Sequence, residues 1–203
     1  MPTVSLNAFL KILSKSSPQK AAEYGRYLTP GGYDFYWMLK DAARALTIGA
    51  KSLDECSKPI LSIDRPVEKK HNLSALKSLG KWLEKEKITE FFDPPTTNFS
   101  SPAQLVKIKL EPAFGCVREN HRMIVHIWNS QTLTLSKNVG SCGVYLMQQH
   151  LCIDGFADCI PAILDTRKRD LFSARGVPSM IPAMVASELA WADSFFTAVS
   201  KAA

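Results

Sequence analysis

The 203 residues are 46% hydrophobic and 22% charged, with 25 Lys and Arg against 19 Asp and Glu and a formal net charge of +6. That balance suits a folded core and excludes a disordered chain or a strongly basic arm, while leaving room for an anionic partner. No stretch reaches the roughly 18 uninterrupted apolar residues of a spanning helix; the nearest, VPSMIPAMVASELAWA, contains two prolines and Glu188.

The first half has helical spacing. Leu6, Phe9, Leu10 and Leu13 fall on one face of a first helix, and Ser17 with Pro18 marks the start of a second. A break is expected at Thr29-Pro30-Gly31-Gly32. A third helix is predicted from Asp34 to Gly49, burying Phe35, Met38, Leu39, Ala42 and Leu46. Residues 50–72, with Pro59 and Pro66, suit a connector. Helical spacing returns from Asn72, with Leu73, Leu76, Leu79 and Leu83 inward, and FFDPPTTNFSSP then favours turns over regular structure. The change of character there divides the chain into a helical N-terminal region, 1–95, and an α+β domain, 96–203, which could equally form one compact unit.

After Pro102 the period becomes two. Val106, Ile108, Leu110, Phe114 and Cys116 share one side of a strand interrupted at Pro112, Glu119-Asn120-His121 forms a hairpin turn, and RMIVHIW returns as a central strand apolar on both faces. A helix is predicted from Ser141 to Leu151. CIPAILDTRKRDLFSARG reads as two short strands about a charged turn at Arg167-Lys168-Arg169-Asp170. Ser179 caps a long last helix with Ile181, Met184, Val185, Leu189, Ala192, Phe196 and Val199 inward. The expected fold class is α+β: N-terminal helices, then an antiparallel sheet packed by a long C-terminal helix.

Residues 116–159 hold Cys116, His121, His126, Cys142, His150, Cys152 and Cys159. Structural zinc sites use Cys pairs two to four residues apart, and no such pair occurs, so no metal and no cofactor are expected. Cys116, Cys152 and Cys159 read as packing residues. Cys142 is the candidate nucleophile: at a helix start between Gly140 and Gly143 it would be partly exposed, with a thiolate favoured by the helix dipole and a histidine as its base. Asp165 and Arg167 in ILDTRK loosely fit an acid–base pair of a metal-dependent nuclease, and a solvated hairpin tip explains the same residues more simply. Lys77, Lys81 and Lys85, four apart on one helix face, could follow phosphates, although Glu84 and Glu86 interrupt them. Five cysteines and an N-terminal stretch without the features of a secretory signal point to a reducing compartment and a cytoplasmic location. The function expected is a non-catalytic protein-binding or regulatory module, with a protein partner or a second copy of itself and no membrane. The alternatives are nucleic-acid binding through the lysine-striped helix and a thiol- or metal-dependent enzyme.

Overall fold

The computed structural model describes residues 1–29, 34–130, 132–174 and 177–202; the turn expected at Pro30-Gly31-Gly32 lies outside them. Strand β1 (Thr3–Ser5) runs directly into α1 (Leu6–Leu13), where the Ser5 hydroxyl accepts the Ala8 N–H and Leu6, Phe9, Leu10 and Ile12 are buried. Helix α2 (Ser17–Gly25) is capped by Ser16, one residue earlier than expected, and the Ser16 N–H donates to Gln19 Oε1. A 3-10 turn, Arg26–Leu28, follows. In α3 (Trp37–Thr47) the buried residues are Leu39, Ala42, Ala43 and Thr47.

The expected connector is in fact α4 (Leu53–Leu61), closed at its start by a capping box in which Ser52 and Glu55 exchange hydrogen bonds. Helix α5 (Pro66–Lys85) begins six residues before Asn72. Asn72 does not cap it. Its buried amide brackets two helices, Oδ1 accepting the Leu39 N–H while Nδ2 donates to the Phe35 and Glu68 carbonyls.

Strand β2 (Ile88–Phe92) runs into the segment read as turns and β3 (Thr97–Ser100) lies within it, followed by β4 (Lys107–Leu110), β5 (Phe114–Arg118) and β6 (His121–Trp128). Pro112 separates β4 from β5, and the chain changes sheet there: one sheet has the order β1-β4-β3, the other β2-β5-β6-β7-β8. The β5–β6 turn falls at Glu119 and Asn120, whose φ angles of 49° and 62° are those of a tight hairpin. Helix α6 (Lys137–His150) precedes β7 (Ile160–Asp165), β8 (Asp170–Ser173) and the long C-terminal α7 (Ile181–Ala202).

The class is α+β, and both sheets are mixed rather than antiparallel: β1 pairs parallel to β4, and β6 parallel to β7. For β6 and β7 the cause is α6, because a helical crossover returns the chain to the end of the sheet from which it left. Strands from before residue 95 are paired with strands from after it, β1 with β4 and β2 with β5.

The larger sheet is a central layer. Along β6, Met123, Val125 and Ile127 enter one core with Leu76, Leu79 and Trp82 of α5, whereas Ile124 and Trp128 enter the other with Phe9, Leu10, Val144 and Ile181. Helices α3, α4 and α5 therefore cover one face; α1, α6 and α7 cover the other. Among the described residues no helix is long and apolar enough to cross a membrane.

Candidate functional site

The soft ligands of residues 116–159 are distributed over separate environments. Cys116 lies in the core under α5 and Cys142 in the opposite core, both with 0% exposure, and all five cysteines are buried free thiols. The expectation of a partly exposed, activated Cys142 is corrected. Ser136 caps α6 through the Val139 N–H, so Cys142 stands beyond the first turn with its thiol turned to the core. Burial, reinforced by the charge of Glu188, pushes that thiol up to about 11. Burial likewise takes Cys116 to about 12 and Cys152 to about 11.

The histidines are engaged elsewhere. The His150 ring stacks on Phe99 with centroids 4.2 Å apart, and His121 is exposed at the hairpin end. Among the described residues no three His, Cys, Asp or Glu side chains are placed to hold a metal ion. Asp165 is buried at the end of β7, where Oδ1 accepts the Arg167 N–H at 3.0 Å, and the Arg167 guanidinium donates to the Ser130 carbonyl. That arrangement builds the β7–β8 turn and leaves the carboxylate directed at backbone.

Lys77, Lys81 and Lys85 are exposed on α5, and among the described residues none is in an ion pair.

A cleft of about 1020 Å³ opens beside α1. Its geometry follows from helical spacing: with Leu6, Phe9 and Leu10 in the core, Asn7 and Lys11, one turn apart, are left on the open side. The facing wall comes from Glu23 of α2 with Arg26 and Tyr27 of the 3-10 turn, and the end wall from Tyr36 and Lys40 at the start of α3. Thr3 and Ser5 of β1, an edge strand of its sheet, border the opening.

Most charged side chains in this cleft are ion-paired. Glu23 pairs with Lys15 at 2.9 Å and with Arg26 at 3.0 Å; Lys40 sits between Asp34 at 2.6 Å and Glu111 at 3.4 Å. Burial alone would raise the Asp34 carboxyl, but its hydrogen bond to Lys40 holds it below its ordinary value. Lys11 differs. Among the described residues it has no ion pair, and its ammonium lies 5.9 Å from the centroid of the Tyr36 ring. The residues outside the described set are Pro30, Gly31, Gly32, Tyr33, Gln131, Arg175, Gly176 and Ala203, none with a carboxylate side chain. Burial lowers the Lys11 pKa against the distant pull of Glu23 and Asp34, and the positive Lys15 adds to the lowering. Burial raises Tyr27 and Tyr36, which keeps both hydroxyls protonated as donors.

Behind Asn7 lies His126, 4% exposed, in contact with a cavity of about 10 Å³. Its Nδ1 faces the Glu111 carbonyl at 3.2 Å and its Nε2 faces Asn7 Oδ1 at 3.0 Å, while Asn7 Nδ2 donates to the Ile127 carbonyl. Two acceptors thus meet a ring that, when neutral, has a single N–H. Desolvation, followed by the charge of Lys40, nevertheless lowers the ring to about 4.

None of the cleft residues is a candidate site residue from sequence; Thr29, Asp34 and Phe35 figure there only as a break and a helix start. Asn7, Lys11 and Lys15 at steps of four, opposite an apolar face, are a legible signal of a polar helix side. Which of these lysines has a counterion depends on where Glu23 and Asp34 fold.

No protein-family model matches this chain, and no curated protein shows significant sequence similarity to it.

Proposed function

We propose that this chain is a non-catalytic binding module that holds an acidic segment of a partner protein in the cleft beside α1. The observation that carries the reading is Lys11, a half-buried ammonium without a counterion in a cleft whose other charged side chains are ion-paired. A cation that has lost water and gained no anion favours an arriving carboxylate, and a hydrogen bond to a charged group contributes about 1.5–3 kcal/mol.

Two features favour a peptide over a small solute. The cleft is at the upper end of the roughly 300–1,000 Å³ that small-molecule sites occupy. The edge strand β1 at its mouth offers backbone groups as well as side chains. The buried, proton-retaining thiols support a binding role over thiol chemistry, and five free cysteines fit a reducing, cytoplasmic setting.

Fluorescence anisotropy with a labelled peptide alternating Glu and Ala, and with its Gln/Ala analogue, tests the reading. The acidic peptide should bind and the neutral one should not, and Lys11→Gln should weaken binding by about tenfold, or ~1.4 kcal/mol. Equal affinity of wild type and Lys11→Gln would sink it.

A further inference from the structure

The solvent face of α5 presents a second, independent surface. At 3.6 residues per turn Lys70, Lys77, Lys81 and Lys85 fall within about 80° of arc, opposite the side on which Leu76, Leu79 and Trp82 are buried. All four lysines are exposed, and among the described residues none is in an ion pair. With a rise of about 1.5 Å per residue they form a straight row about 22 Å long.

Of the two carboxylates that interrupt this row in the sequence, Glu86 is withdrawn from it in the fold and Glu84 stays on the lysine face, three residues from Lys81. Glu68 is fully buried, and Glu86, at the C-cap, turns to Arg118 Nε at 2.6 Å. Glu84 alone remains as an exposed acid on the helix.

We infer that this face of α5 binds the phosphate backbone of duplex nucleic acid without regard to sequence. A duplex carries one charge per ~1.7 Å of axis, so a rigid cationic row of this length faces several phosphates at once. Lysine ammonium groups act as point charges and lack the planar fork that reads base edges, which makes the contact positional and not sequence-specific. Single-strand binders add exposed aromatic rings on which bases stack, and α5 has none on this face: Trp82 is buried in the core, and Ser74 lies between Lys70 and Lys77.

The test measures binding of the full chain to a random-sequence DNA duplex longer than the helix, between about 50 and 200 mM salt. Replacing Lys77, Lys81 and Lys85 by Ala should lower the slope of log K against log salt by about 2.7, at ~0.9 per phosphate contact, and weaken binding at least tenfold. Replacing the exposed Lys137, Lys168 and Lys201 by Ala removes the same charge elsewhere and should leave the slope nearly unchanged. Circular dichroism melting checks that both variants fold. The inference is overturned if wild type retains no duplex at the lowest salt or if both triple variants lose binding equally. It is also overturned if a single strand or an anionic phosphatidylserine vesicle binds more tightly than the duplex. Lys11→Gln should leave duplex binding intact, and the α5 variant should leave peptide binding intact, so either reading can fail alone.

Discussion

His126 shows how a single residue can be placed in a central strand from sequence while its chemistry is decided by distant neighbours. Its place between Val125 and Ile127 marks it as a strand histidine; the fold adds the Glu111 carbonyl, the Asn7 amide, and the charged groups of Lys40, Glu111 and Asp34. With the ring at about 4 in the folded protein and 6.5 as its ordinary value, the unfolded chain takes up a proton in that window and the folded chain does not. Stability is therefore complete above 6.5 and should fall by about 3 kcal/mol as the pH drops towards 4. Urea midpoints of wild type and His126→Gln across this range check it, because the variant should lack that component. A flat difference would mean that the ring already holds both N–H groups, one for each acceptor. Cys142 illustrates the converse. Its glycine neighbours suggested access for a substrate, yet Gly140 and Gly143 serve packing, with Phe172 and Leu135 beside the first and Ile163 and Leu10 beside the second.

At the scale of elements, α6 is held by that close approach. A Cβ at Gly143 would lie 2.5 Å from Ile163 Cδ1 and 3.0 Å from Leu10 Cδ1, two side chains with 0% exposure and little freedom to move. Gly143→Ala should thus destabilise by about 1–3 kcal/mol despite alanine's better helix propensity. Gly25, which closes α2 and has nothing within 4 Å of its notional Cβ, should behave oppositely, with Gly25→Ala gaining up to ~1 kcal/mol. Urea denaturation of the two variants side by side separates packing from propensity. The elements legible in sequence were those with a sustained apolar period or a clear cap or turn: α1, α2, α3, α5, β4 to β8, α6 and α7. Those missed are short. Helix α4 has a local signal in Ser52 and Glu55, outweighed in the reading by Pro59. Strands β2 and β3 flank paired prolines and exist because β5 and β4 pair with them, which no local pattern states.

Over the whole molecule, the second and last helices are joined by a buried charge. Glu188 of α7, 3% exposed, accepts from Lys20 and from the Tyr24 hydroxyl of α2, and Tyr24 stacks on Trp191. Lys20→Met should cost about 3 kcal/mol by leaving that carboxylate buried without its cation, and adding Glu188→Leu should recover most of the loss. Comparing the urea midpoints of the single and double variants decides between this linkage and a dispensable ion pair. Sequence alone determined the α+β class, the central two-faced strand, the β5–β6 and β7–β8 hairpins and the long C-terminal helix. These follow from periodicity and turn chemistry, which are local. Only the tertiary structure decided the parallel pairing of β6 with β7, the withdrawal of Glu86 from the lysine row, the burial of Cys142 and the lack of a counterion at Lys11. Each of these depends on which side chains meet across dozens of residues, and charge matching and desolvation are properties of such meetings, not of the order of letters along the chain.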